Sequence, residues 1–276
     1  MAEIAYPGTD KYAMAELMAI IIARSAAGEE EKMGGGGANQ SIPLAAGRLA
    51  QLTVAPNFWL FTGGAGVYNG KFDNLPLGTW DPRCGIGAEC KVYMMDVVDR
   101  GISGRRRVAF GGAGFGGIQV DKFGNVNMIG IGGPYPKLKL RGPGTVGVIW
   151  MGTGPNGIFL EHHNKRVLVE NVDYIAGAGW LDGGDTRFKV LNNRPGPQHV
   201  FTPICYCDFT EDEHRMRLVS VHPGYTVDDV IANTSFELVI PDDVPTTTPP
   251  TDWELEALRT LVDRGGQLRK RRVTVG

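Results

Sequence analysis

The sequence predicts an α/β protein, an open and mostly parallel sheet with flanking helices, on three observations. Short apolar runs alternate with stretches of helical periodicity, the order expected when strands and helices pack in layers. Glycine runs follow several apolar runs, as in Val108-Ala109-Phe110-Gly111-Gly112-Ala113-Gly114-Phe115-Gly116-Gly117, and open α/β sheets place ligands where buried strands end. The chain has 276 residues, 42% hydrophobic and 21% charged, enough to bury a sizeable core without disulfides or metals.

From the start, Thr9 and Asp10 are placed to cap a helix reaching about Ala26. Met14, Leu17, Met18, Ile21, Ile22 and Ser25 share one face of it. Glu29-Glu30-Glu31 reads as a solvated turn. Gly34–Gly37 precede a helix expected from about Ser41 to Thr53. Free N–H groups and the helix dipole converge at such a start, so Gly35, Gly36 and Gly37 suit a phosphate or pyrophosphate. The stretch lacks both the Gly-Lys-Ser/Thr end of a Walker loop and the dinucleotide spacing. Ligand contact and plain tight packing both stay open there.

Asn57–Thr62 reads as a buried strand bounded by Pro56 and by Gly63-Gly64. Thr62 ends that strand, where a catalytic group stands in a sheet of this kind. Residues 70–87 have no periodicity and read as a surface loop. A helix is expected from Ala88 to Asp99, then Arg105-Arg106-Arg107 and a strand, Val108–Phe110. Asp121–Asn127 reads as a hairpin-like reversal, with Gly124 and Asn125 supplying the turn chemistry. Val148–Met151, Gly157–Leu160, Arg166–Glu170, Val200–Cys207 and Arg215–His222 are expected as strands, and Asp173–Trp180 as a strand-to-turn element. Thr226 caps a short helix through Asn233. A last helix spans Thr251–Asp263, after the proline-rich 241–250. The expectation is one domain, 1–276, with a flexible basic tail at about 265–276.

Composition excludes several classes. A formal net charge of −2 advertises neither nucleic acid nor an anionic membrane as a partner. The apolar run Met18–Ala23 is too short to span a bilayer. Met1-Ala2-Glu3 has no basic n-region, so cytoplasmic residence is expected. Cys84, Cys90, Cys205 and Cys207 fit neither a zinc pattern nor C-x-x-C. They are read as buried or incidental thiols, with a minor alternative in which Cys205 or Cys207 pairs with His199 or His214. His162 and His163 point to opposite faces of a strand and are read as structural. No serine sits in a G-x-S-x-G elbow.

Gly116-Gly117-Ile118-Gln119-Val120-Asp121, with Phe123-Gly124-Asn125-Val126-Asn127, resembles the GGxQxDxxGNxN signature of family I CoA-transferase β subunits. The likeness is to the glutaconate CoA-transferase β type and to the steroid-ring-opening CoA-thioester hydrolases. Arg166–Tyr174, Gly179-Trp180, Val219–Gly224 and Thr226–Phe236 extend it over roughly Asp10 to Asp263. The resemblance implies the CoA-transferase β-subunit fold. It also implies an α-subunit partner of the same family in an α2β2 assembly, and an acyl-CoA substrate that brings coenzyme A itself, with no other cofactor and no metal.

One departure decides between reactions. The family's β subunits carry a glutamate at the strand end that takes CoA as a glutamyl thioester; here Phe61-Thr62-Gly63-Gly64 puts Thr62 in its place. A threonine hydroxyl cannot accept and release CoA in ready exchange. The first expectation is therefore hydrolytic C–C ring opening of a cyclic keto acyl-CoA, with the general base from the α subunit. In it the backbone amides of Gly116 and Gly117 are catalytic. Thr62, Gly63, Gly64, Gln119 and Asn127 line the substrate, and Gly35, Gly36 and Gly37 hold CoA. The alternatives are CoA transfer with the partner's glutamate and a non-catalytic scaffold subunit.

Overall fold

A computed structural model describes residues 10–27, 33–35, 41–62, 65–78, 80–93, 96 and 117–276. The contacts cluster into two compact units, residues 1–114 with 248–273, and 115–247 with 274–276.

In the first unit, α1 (Met14–Arg24) is buried on nearly every face, as a helix apolar all round must be. It starts at Met14, not at Asp10, because Glu16 caps it. The buried Glu16 carboxylate accepts the Ala13 N–H at 2.9 Å and pairs with Arg259 at 2.8 Å. α2 (Ser41–Leu52) packs on α1. β1 (Met33–Gly35) runs parallel to β2 (Trp59–Thr62), β3 (Val67–Tyr68) antiparallel to β2, and β4 (Cys90–Lys91) antiparallel to β3. β4 corrects the helix expected from Ala88, because Val92 N–H reaches the Gly66 carbonyl and holds this stretch in the sheet. The C-terminal helix, Asp252–Ala257, is capped by Thr251 and passes into a π turn, Leu258–Val262.

The second unit opens with the hairpin β5 (Gln119–Val120) and β6 (Val126–Asn127), then β7 (Gly130–Ile131) and β8 (Leu140–Arg141). β9 (Asn156–Phe159), β10 (His162–His163), α3 (Thr186–Val190), β11 (Pro197–Phe201), β12 (Cys205–Phe209), β13 (Met216–Val221) and α4 (Val227–Asn233) follow. A four-stranded sheet has the order β13-β12-β11-β9, with β11 parallel to β9 and the other pairs antiparallel. The α/β class holds, and pairing among the described strands is mixed.

Three expected strands form differently. Val146–Thr153 is a 3-10 helix; Val148 and Met151 are buried while Ile149 is exposed, the three-residue period of that helix. Val200–Cys207 breaks into β11 and β12 at Thr202-Pro203, where the Thr202 hydroxyl accepts the N–H groups of Ile204 and Cys205. Of Arg166–Glu170, Leu168 alone bridges, to Val120. The basic tail folds, with a helical turn at Gln267–Lys270 in the first unit. β14 (Thr274–Val275) pairs with β10 in the second.

Candidate functional site

In the first unit, β1 and β2 are parallel, so their carboxyl ends share one edge of the sheet. Gly35 lies opposite Phe61, one residue before Thr62. This is the carboxyl end of neighbouring strands, where open α/β sheets hold ligands. Gly36, Gly37, Gly63 and Gly64 lie outside the described residues, as do Arg105–Arg107 and Gly116.

Thr62 is 1% exposed, and its hydroxyl donates to the Val67 carbonyl across the hairpin at 3.2 Å. The Cys84 thiol contacts that hydroxyl, and burial pushes it up to about 12. Neither group is activated, since Thr62 donates to a carbonyl and not to a base. Asp81 stands beside Cys84, but the Arg83 guanidinium holds its carboxyl down to about 2, with backbone N–H groups of Leu77 and Arg83 also donating to it. That carboxylate belongs to its own ion pair.

In the second unit, the signature residues tie the hairpin into its surroundings. Asn127 is fully buried. Its amide donates to Gln119 Oε1 at 2.7 Å and to the Gly130 carbonyl at 2.8 Å, and its Oδ1 accepts the Ile129 and Gly130 N–H groups. Gln119 Oε1 also accepts the Asp173 N–H, and Gln119 Nε2 donates to Asp173 Oδ1 at 3.2 Å. Asp121 accepts the N–H groups of Phe123 and Asn125, each at 3.0 Å, and the Asn125 side chain at 2.9 Å. Burial nevertheless pushes its carboxyl above the ordinary range.

The structure thus brings Gln119 and Asn127 together, both facing inward. Their amides fix the backbone of the hairpin and of residues 129–130 and 173. Gly117 is buried, and a Cβ there would press on Gln119 O and Val126 at 2.9 Å. Among the described residues no backbone carbonyl accepts the Gly117 N–H.

Two further residues hold this hairpin in place. Gly179 crosses the hairpin turn so closely that a Cβ would collide with the Gly124 carbonyl and the Asn125 nitrogen; its N–H donates to Asn125 Oδ1 at 2.9 Å. Arg187 is fully buried and donates to the carbonyls of Arg194, Ala178, Gly179 and Met151 at 2.5–2.9 Å. Burial lowers its pKa to about 10. Arg187 therefore holds residues 178–179, which hold Asn125, which holds Asp121. The Gly177-Ala178-Gly179-Trp180 stretch could have signalled the glycine; nothing local signals the arginine.

The thiol alternative takes another form. His199 bonds Tyr206 Oη at 2.7 Å, and His214 stacks on Trp180 at 3.7 Å. Cys205 instead lies 3.9 Å from His163 Nδ1 and 3.7 Å from the Cys207 sulfur, deep in the core. His163 is held between Thr202 and Thr234, which fits a structural histidine. Among the described residues, no three His, Cys, Asp or Glu side chains group to hold a metal, and no helix is long and apolar enough to cross a membrane.

The coenzyme A transferase family profile matches residues 111–233. The chain is 32% identical to the B subunit of 3-oxoadipate CoA-transferase from Pseudomonas knackmussii, over 81% of this chain and 84% of that one. It is 33% identical to the cholesterol ring-cleaving hydrolase IpdB subunit of Rhodococcus jostii, over 85% and 87%. The crystal structure of R. jostii IpdAB superposes with a TM-score of 0.78 and 30% identity, covering 96% of this chain and 100% of that one. Glutaconate coenzyme A-transferase from Acidaminococcus fermentans gives 0.80 and 26%, covering 94% and 98%.

Proposed function

This chain belongs to the coenzyme A transferase family, and from that membership we propose that it is the B-type subunit of a heteromeric ring-opening hydrolase. The substrate is a cyclic keto acyl-CoA, and the partner is an α subunit of the same family, as two copies of each. Coenzyme A enters as part of the substrate, and no resident cofactor is called for. Coenzyme A thioesters are made and used inside cells, so this reading puts the enzyme in the cytoplasm.

The observation that carries the reading is Thr62. A buried hydroxyl bonded to the Val67 carbonyl occupies the strand end where transfer needs a carboxylate. Similarity to the IpdB subunit supports the same direction. In the proposed reaction a partner carboxylate takes a proton from water, which adds to the ring ketone. The adjacent C–C bond breaks, its electron pair passes to the carbon next to the thioester, and a proton is returned there. The Gly116 and Gly117 N–H groups stabilise the developing oxyanion or enolate; removing one such donor costs about two to three orders of magnitude in rate. Gly35–Gly37 hold the CoA phosphates, Gly35 being the last residue of β1.

Transfer remains the second reading, favoured by the likeness to the 3-oxoadipate CoA-transferase B subunit. The deciding experiment incubates the complex with acyl-CoA, traps with hydroxylamine or borohydride, and maps adducts by mass spectrometry. Ring-opened product without an adduct supports hydrolysis. A glutamyl–CoA adduct on either subunit establishes transfer instead.

A further inference from the structure

The start of β2, opposite its glycine end, borders a second polar site. A cavity of about 310 Å³ there is lined by Arg48, Gln51, Asn57, Asn69, Lys71 and Glu89, among others. Asn57 and Phe58 precede β2 while Thr62 ends it, and the strand rises roughly 3.3 Å per residue, so this cavity lies at the opposite end of β2 from Thr62.

We propose that this cavity binds a small hydroxylated oxyanion, a carboxylate or a phosphate monoester, with the Arg48 guanidinium on the anion and the Asn57 and Asn69 Nδ2 groups on the hydroxyls. Arg48 projects from α2 with its Nε buried and unpartnered. Its one hydrogen bond among the described residues runs from Nη1 to Gln51 Oε1 at 3.2 Å, and no carboxylate there pairs with it. Arg48 is half-buried and has no counter-ion among the described residues, and a planar guanidinium fork matches carboxylate and phosphate oxygens two at a time.

The other lining charges offset one another. Glu89 lies 3.5 Å from Lys71 Nζ and accepts the Asn69 amide at 2.9 Å, so it is not held by Arg48. Gln51 Nε2 bonds the Phe58 carbonyl and Asn69 Oδ1 at 2.9 and 2.8 Å, which fixes the wall on which Arg48 rests. The net result is one uncompensated cation in a preformed polar hollow, at a size at the small end of ligand pockets. Burial lowers the Arg48 pKa, in keeping with a cation short of a partner.

The test is calorimetric titration of the full-length chain, free of acyl-CoA, with ribose 5-phosphate, gluconate and uncharged ribose at low salt. Because no catalysis is read, its outcome is independent of the ring-opening proposal. At least one charged probe binds and ribose does not. Arg48→Gln weakens that binding by about tenfold to a hundredfold, the range for a charged hydrogen-bond pair. Arg48→Lys weakens it less, keeping the charge and losing the fork. Binding of neither charged probe, equal binding of ribose, or unchanged affinity in Arg48→Gln overturns the proposal. Should Arg48→Gln not fold, side-chain amide NMR of the parent decides: shifts at Gln51, Asn57 and Asn69 support the site, and shifts elsewhere alone overturn it.

Discussion

His222 makes the second unit sensitive to acid, by an amount that follows from its surroundings. The side chain is fully buried. Nε2 donates to the Thr202 carbonyl at 3.0 Å, leaving Nδ1 to accept the Thr247 hydroxyl at 2.8 Å; Ser220 lies 2.7 Å from that hydroxyl. A second proton on the ring must displace this arrangement and place a charge in the core. Burial first, with a smaller push from His163, lowers the pKa from 6.5 to about 4. The unfolded chain takes up this proton near pH 6.5 while the native state resists until about pH 4. The stability is therefore complete above pH 6.5, falls as pH drops toward 4, and levels off below. At about 1.4 kcal/mol per pKa unit, the loss across that window is about 3 kcal/mol, a large part of a typical 5–15. His222→Gln offers similar donor and acceptor groups and does not titrate. Urea unfolding of both proteins from pH 7.5 to 4 should show the parent losing about 3 kcal/mol more than the variant. Asp121 and Asp263, whose carboxyls burial pushes upward, contribute with the opposite sign and cancel in the difference. Parallel loss in the two proteins would refute the reasoning.

The clamp around the hairpin gives two more expectations. Arg187→Met leaves the Met151, Ala178, Gly179 and Arg194 carbonyls without their donor. A loss of about 3–5 kcal/mol is expected in denaturant midpoint at unchanged slope, since each stranded buried acceptor costs about 1–3 and the guanidinium's own desolvation is recovered. Gly179→Ala, which drives a methyl into the Gly124–Asn125 backbone, should cost at least about 2 kcal/mol in thermal unfolding. Gly85→Ala, with nothing within 4 Å, should change stability by under about 0.5 kcal/mol.

Much of the molecule was legible where local chemistry decides structure. Thr226 caps α4, its hydroxyl accepting the Asp229 N–H, as the Thr-x-x-Asp spacing implies. α2 runs Ser41–Leu52 after its glycines, and Gly124 turns the hairpin at φ +69°, a conformation that suits glycine. What failed was decided by distant partners. Cys90–Lys91 became a strand because β3 was there to pair with it, and helical periodicity in so short a window cannot overrule that. Val148–Met151 is as apolar as a strand, but burial every third residue wound it into a 3-10 helix. In the first unit, Thr62 was legible as the end of a strand; in the second, the inward commitment of Gln119 and Asn127 depends on Asp173, 54 and 46 positions away. Arg187 was invisible for a related reason: an arginine in sequence reads as surface, and only the fold shows that it is surrounded by carbonyls.

Asn125 and Asn127 have no amide hydrogen or oxygen left over for a guest once the hairpin has closed. A hairpin whose polar atoms are all turned on itself keeps its form with nothing bound to it. Its form is thus settled within the second unit, independently of Thr62, whose hydroxyl is bonded in the first.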